Sequence, residues 1–211
     1  MIRLLLLSLC LLTLRATAAT TVSAVIKDAK GAAVPDAVIA LYALDGAVSS
    51  PAADQPLIEI SQQDQEYTPY VTVIRVGTVI EFPNRDDIQH HIYSLSKAKR
   101  FEKPLYAPGA HESVLFDHPG IITLGCNIHD WMIAYIVVLP TPHFAKTDAT
   151  GTAQLIAPSG RYRVEVWHPR LSAPQIQEVT FADGVGPLEY RLTLKPDRRI
   201  RRTLEGKTGG Y

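Results

Sequence analysis

The stretch CNIHDWM, residues 126–132, sets a thiol, an imidazole and a thioether in one short loop: Cys126, His129 and Met132. Beyond residue 19 the chain has no other cysteine and no other methionine. Apolar runs lie on both sides, IITLGC (121–126) and IAYIVVL (133–139), and both read as strands. A loop of this length between neighbouring strands can bring all three donors to one point. A fourth donor must come from a neighbouring strand.

The segment FPNRDDIQHHIYS (82–94) offers two candidates, His90 and His91. Adjacent residues of a strand point to opposite faces, so only one aims inward. His90 shares parity with Ile88 and Ile92, whereas His91 goes with Gln89 and Tyr93. The apolar face is the inner one, which selects His90. The same test sets Cys126 with Ile122 and Leu124. Two imidazoles and a thiolate with a weak axial thioether form the ligand set of a blue-copper centre. Thiolate and thioether suit the softer reduced ion, imidazole suits both states, and a fixed mixed set changes little between them. Three blander readings compete. Cys126 as an inert core thiol ignores the donors around it. Zinc takes Met poorly and favours more thiolates in structural sites. A Cys–His nucleophilic pair has no other support in the chain.

The other histidines, His111, His118, His143 and His168, sit near Pro, Gly or charge and read as exposed. His91 is the best non-ligand histidine for a supporting or surface role. KAKRFEK (97–103) reads as a solvated basic loop, with a docking patch for an acidic partner as runner-up. Ile128 and Trp131 flank His129; they read either as an apolar docking rim or, for Trp131, as a core anchor.

The chain has 211 residues and a formal net charge of zero, which gives no reason to expect a nucleic-acid partner. Short alternating runs rich in Val, Ile, Tyr and Thr recur between Gly, Pro, Asn and Asp turns, the signature of an all-β sandwich or barrel. The opening MIRLLLLSLCLLTLRATAATT combines Arg3, an apolar run from Leu4 to Leu12 and a small-residue site at Ala16-Thr17-Ala18. It reads as a secretory signal peptide, residues 1–19, with the mature chain beginning near Ala19 or Thr20. No segment is long and apolar enough for a transmembrane helix. Cys10 follows Leu9, which does not fit a lipoprotein cleavage site. Export to the oxidising periplasm leaves Cys126 without a pairing partner in the chain, and metal ligation is one reason for such a thiol. Residues 46–56 read as a linker and 196–211 as a basic tail.

The region 57–139 resembles a cupredoxin, most closely the amicyanin type, on the Cys-x-x-His-x-x-Met spacing, VGTVIEFPNRD before the first ligand and HPGIITLGC leading into the cysteine. The wider arrangement is similar to exported methylamine-utilisation-type proteins. The resemblance implies one type 1 copper per chain held by His90, Cys126, His129 and Met132, with Ile128 and Trp131 at the docking surface. It departs in having His91 where the family often has Asn, and Ile121, Ile122 and Leu124 where it often has aromatics. VIKDAKGAAVPDAVIALY (25–42) and TDATGTAQLIAPSGRYRVEVWHP (147–169) resemble two halves of a carboxypeptidase regulatory-like or transthyretin-like sandwich. The expected architecture is therefore a Greek-key cupredoxin sandwich inserted into a discontinuous sandwich of residues 20–46 and 146–195. The expected function is one-electron transfer between periplasmic redox partners, such as a dehydrogenase and a c-type cytochrome, without enzyme activity. The rivals are non-redox copper storage, delivery or sensing, and a binding sandwich with the copper domain as accessory. The oligomeric state stays open.

Overall fold

The computed structural model describes residues 19–45, 57–182 and 184–197. Residues 1–18 of the expected signal peptide, the linker 46–56 and residues 198–211 of the expected tail lie outside the described residues.

The chain is all-β, with no helix among the described residues. Two strands come first, β1 (Ala19–Asp28) and β2 (Val38–Ala43). The middle of the chain forms β3 (Ile58–Glu59), β4 (Ser61–Gln63), β5 (Glu66–Thr68), β6 (Val71–Arg75), β7 (Thr78–Pro83), β8 (His90–Ser96), β9 (Lys99–Tyr106), β10 (His111–Phe116), β11 (Gly120–Gly125) and β12 (Ile133–Leu139). The chain closes with β13 (Phe144–Lys146), β14 (Thr152–Pro158), β15 (Gly160–Trp167), β16 (Gln175–Phe181) and β17 (Leu188–Leu192).

The ends of the described chain come together. β1 pairs antiparallel with β14 and parallel with β17. β2 lies between β13 and β15, with β16 beyond. These two sheets enclose one core, in which Val22, Leu155 and Leu192 meet Ile39, Val164 and Phe181. The Asp148–Gly151 turn closes it. Gly151 has φ of 74°, and a Cβ there would stand 2.5 Å from the Ile26 carbonyl oxygen, so only glycine fits.

The middle strands form a second sandwich, of sheets β10-β7-β3 and β6-β12-β11-β8-β9. Its core gathers Ile74, Ile80, Phe82, Ile92, Phe116, Ile122, Leu124 and Ile136. The short hairpin β4-β5 is a separate two-stranded sheet packed on this core through Tyr67. A third cluster joins the sandwiches: Val38 and Ala40 of β2 meet Val71 of β6 and Val137 and Leu139 of β12, with Trp167 against Tyr135. This explains why β2 and β12 read as nearly unbroken apolar runs, since both are covered on two faces.

Three expectations need correction, one being His143, read as exposed but half-buried with its Nε2 shielded from solvent. Residues 99–103, read as part of a solvated loop, begin strand β9, which pairs with β8 at the edge of the five-stranded sheet. The charges Lys99, Arg100, Glu102 and Lys103, together with Pro104, are how an edge strand avoids pairing with other chains, and they hide its β pattern. His168 is buried instead of exposed, and its Nδ1 accepts the Arg170 backbone N–H at 3.1 Å. It lies where the chain turns after β15, so its ring closes the turn.

Candidate metal centre

β8 and β11 are neighbours, with Tyr93 opposite Gly125. This brings the start of β8, where His90 sits, beside Cys126, the first residue after β11. A Cβ on Gly125 would lie 2.7 Å from the Tyr93 ring, which lies over the glycine in the space a side chain would take. β11 and β12 are antiparallel, with Gly125 opposite Ile133, and residues 126–132 form the loop between them. The Met132 N–H donates to the His129 carbonyl at 3.0 Å, which turns the loop back.

His90, Cys126 and His129 each offer one ligand atom, and these atoms all lie within 4.8 Å of one another. Cys126 Sγ and His129 Nδ1 are 3.9 Å apart, and the two imidazole centroids 5.1 Å. His90 is fully buried, Cys126 is buried and His129 is half-buried. Met132 is buried in the same apolar cluster as Cys126. Ile128 is exposed, whereas Trp131 is half-buried against that cluster, its ring 5.1 Å from His129. Trp131 thus packs on the core, as one of its two readings expected. β8 begins at His90, so Ile88 precedes the strand; Ile92 and Ser94 are the buried residues that share the His90 face.

His90 is held from behind. Its Nε2 lies 2.6 Å from Asp86 Oδ2. An ionised carboxylate only accepts, so Nε2 carries the proton and Nδ1 keeps its lone pair in the neutral ring. That Nδ1 is buried and has no hydrogen-bond partner. A buried, unpartnered imidazole nitrogen beside a thiol and a second imidazole fits a metal, and a carboxylate on the other ring nitrogen is the usual way a ligand histidine is oriented. Asn84 shapes the turn: its side-chain amide donates to the carbonyls of Ile88 and Tyr106 at 2.8 and 3.2 Å, and its Oδ1 accepts the Asp86 N–H at 3.1 Å.

Burial alone would push the Cys126 thiol up and the His90 ring down. Other contacts outweigh it in both cases. Cys126 is lowered by the neighbouring His90 ring, which faces it without hydrogen-bond geometry, and by backbone N–H groups of Ile128, His91 and His129, while His90 is raised by Cys126 and Asp86. A lowered thiol pKa favours the thiolate, which is the form that binds metal.

His91 points away from this cluster, yet it is buried too. Its Nε2 is 2.9 Å from Glu102 of β9. Residues 61–68 add contacts with no local signal in the sequence. The Asp64 and Gln65 backbone N–H groups donate to the Asp86 carboxylate at 2.6 and 2.9 Å. Trp131 Nε1 donates to the Gln65 carbonyl at 3.1 Å. The Tyr67 hydroxyl lies 3.1 Å from the His91 carbonyl and 3.0 Å from the Gly125 carbonyl. Asp86 was the more findable of these, since it stands four residues before His90 in a turn-rich stretch.

The sequence matches no family model and no curated protein. Among solved structures it is similar to a copper-containing nitrite reductase from Thermus scotoductus SA-01, at 25% identity over 44% of this chain with a TM-score of 0.39. That match spans only 25% of the reductase chain. It is similar to a purple cupredoxin from Nitrosopumilus maritimus, at 23% identity over 39% of this chain and 99% of that one, with a TM-score of 0.36. An oxidised proline-to-alanine variant of amicyanin matches at 19% identity over 39% of this chain and 82% of that one, with a TM-score of 0.37. No helix among the described residues is long and apolar enough to cross a membrane.

Proposed function

We propose that this chain is an exported type 1 copper protein of the cupredoxin kind, a one-electron carrier between periplasmic redox partners and not an enzyme. The observation that carries the reading is the unpartnered Nδ1 of buried His90, in a ring grouped with Cys126 and His129 within 4.8 Å. His90, Cys126 and His129 would hold the ion, with Met132, buried in the same cluster as Cys126, as a weaker fourth donor. Bound copper supplies a single-electron couple.

The chain's own residues do the rest. Asp86 fixes the His90 tautomer and ring plane. N–H groups aimed at the Cys126 sulfur favour the thiolate. Burial of His90, Cys126 and Met132 keeps water from the site. His129 is the half-exposed member, and exposed Ile128 and half-buried Trp131 give a small apolar surface beside it, suited to brief encounters with a dehydrogenase or a c-type cytochrome. Residues 20–46 with 146–195 are proposed as one discontinuous carboxypeptidase regulatory-like domain and 57–139 as the copper domain.

Voltammetry of the copper-loaded mature chain tests the carrier role. The expected result is a reversible one-electron couple with copper retained through many cycles. Transfer of the copper to an acceptor protein on each encounter, with no reversible couple, would replace this reading with storage or delivery.

A further inference from the structure

We infer that the Ser61–Thr68 hairpin is a clamp that positions the candidate ligands, with Tyr67 as its central positioning residue. The inference rests on the copper reading for its purpose, but the contacts that define it belong to the chain alone.

Three groups of this hairpin reach the two ligand-bearing segments, the one around His90 and the one from Cys126 to Met132. The turn residues Asp64 and Gln65 present two N–H groups to Asp86, the carboxylate that holds His90. The Gln65 carbonyl receives the indole N–H of Trp131, two residues after His129. The Tyr67 hydroxyl bridges the carbonyl after His90 and the carbonyl before Cys126. Tyr67 is only 4% exposed, and burial first among other causes pushes its pKa up, so the phenol stays protonated and serves as donor. One O–H shared between two carbonyls is well satisfied only while both strands keep their spacing. The hydroxyl therefore ties the separation of the His90 and Cys126 segments to a single atom.

The turn itself is built for this. Asp64 and Gln65 have φ of 55° and 58°, the left-handed region that non-glycine residues seldom occupy. Positive φ at both central residues is the arrangement of a tight hairpin turn, and here it delivers two successive N–H groups to one carboxylate. The hairpin is anchored below by the Arg85 N–H, which donates to the Gln62 carbonyl at 2.8 Å, beside Asn84. The ligand segments are thus fixed before any ion arrives, which is the condition for a site that changes little on loading.

The test uses the mature full chain without metal and then with copper. Cys126 is 3% exposed, so its alkylation by a small thiol reagent reports local opening of the site. Tyr67→Phe removes only the hydroxyl. The clamp predicts alkylation about 10-fold or more faster, and copper release about 10–100-fold faster, the range for loss of an outer contact at a metal site. Hydrogen exchange of β6 and β12 amides should change little. Unchanged alkylation overturns the inference. So does an acceleration matched by equally faster exchange in β6 and β12, because Tyr67 is then simply core. If Tyr67→Phe does not fold, Trp131→Phe decides: it deletes the indole donor at a half-buried position and should speed alkylation several-fold, and no change overturns the clamp. A wild-type chain that binds no copper would defeat the proposed function and leave the alkylation result to judge the clamp.

Discussion

The two sandwiches are built by the same alternation of apolar and polar residues, yet they end differently. The core made by the two ends of the chain holds aliphatic and aromatic side chains, and the buried histidine after β15, His168, uses its Nδ1 to accept the Arg170 N–H. The core of the middle strands is as tightly buried, but its cluster ends in Cys126 and Met132, with buried His90 and His91 beside them. Burying imidazoles and a thiol in place of aliphatic groups weakens a core unless something compensates. The first sandwich also buries unpartnered polar atoms, His143 Nε2 and Tyr190 Oη, but singly and not in a cluster of donors. In the second, one end is given to donors that protein contacts alone leave unsatisfied, His90 Nδ1 being the clearest. That local breach of the apolar rule is what the proposed copper site accounts for.

The comparison can be broken most severely at the donor cluster. His90→Ala should abolish copper binding, while His91→Ala should keep it, because the His91 ring turns to Glu102 and away from Cys126. Titration of each variant with copper, followed by metal analysis after gel filtration, gives the answer. Next come paired core truncations, one in each sandwich. Leu41→Ala and Ile122→Ala each remove a fully buried aliphatic and should cost about 2–5 kcal/mol. Chemical denaturation measures the loss. Only Ile122→Ala, whose side chain shares the Cys126 cluster, should also alter the copper spectrum.

A smaller effect is expected at Asp86→Asn. The amide keeps a hydrogen-bond acceptor but lacks the charge, and copper affinity should fall about 10–100-fold in competition with a chelator. The smallest is Met132→Gln, which should retain copper and shift its reduction potential, because an axial donor tunes a site that three other ligands hold. Voltammetry of that variant reads the shift.

The loop 126–132 was legible because its donors are close in sequence, and the hydrophobic alternation around Cys126 and His90 chose between faces. The strands of both sandwiches were legible for the same reason, as at β11 and β14, where every second residue is buried. What stayed hidden is held by contacts between distant segments. Tyr67 lies 24 residues from His91 and 58 from Gly125. β9 was hidden by the charges that protect its edge. His168 was misjudged because its burial depends on the turn after β15, a tertiary property with no periodic signal. His91 was assigned to the opposite face, but the cover that Glu102 gives it could not be read from β8 alone.

The most direct measurement is the visible absorption spectrum of the copper-loaded wild-type chain beside Cys126→Ser. The account predicts one copper per wild-type chain with an intense thiolate-to-copper band, and no such band in the serine variant. A wild-type protein that stays colourless with copper, or a band that survives in Cys126→Ser, would contradict it.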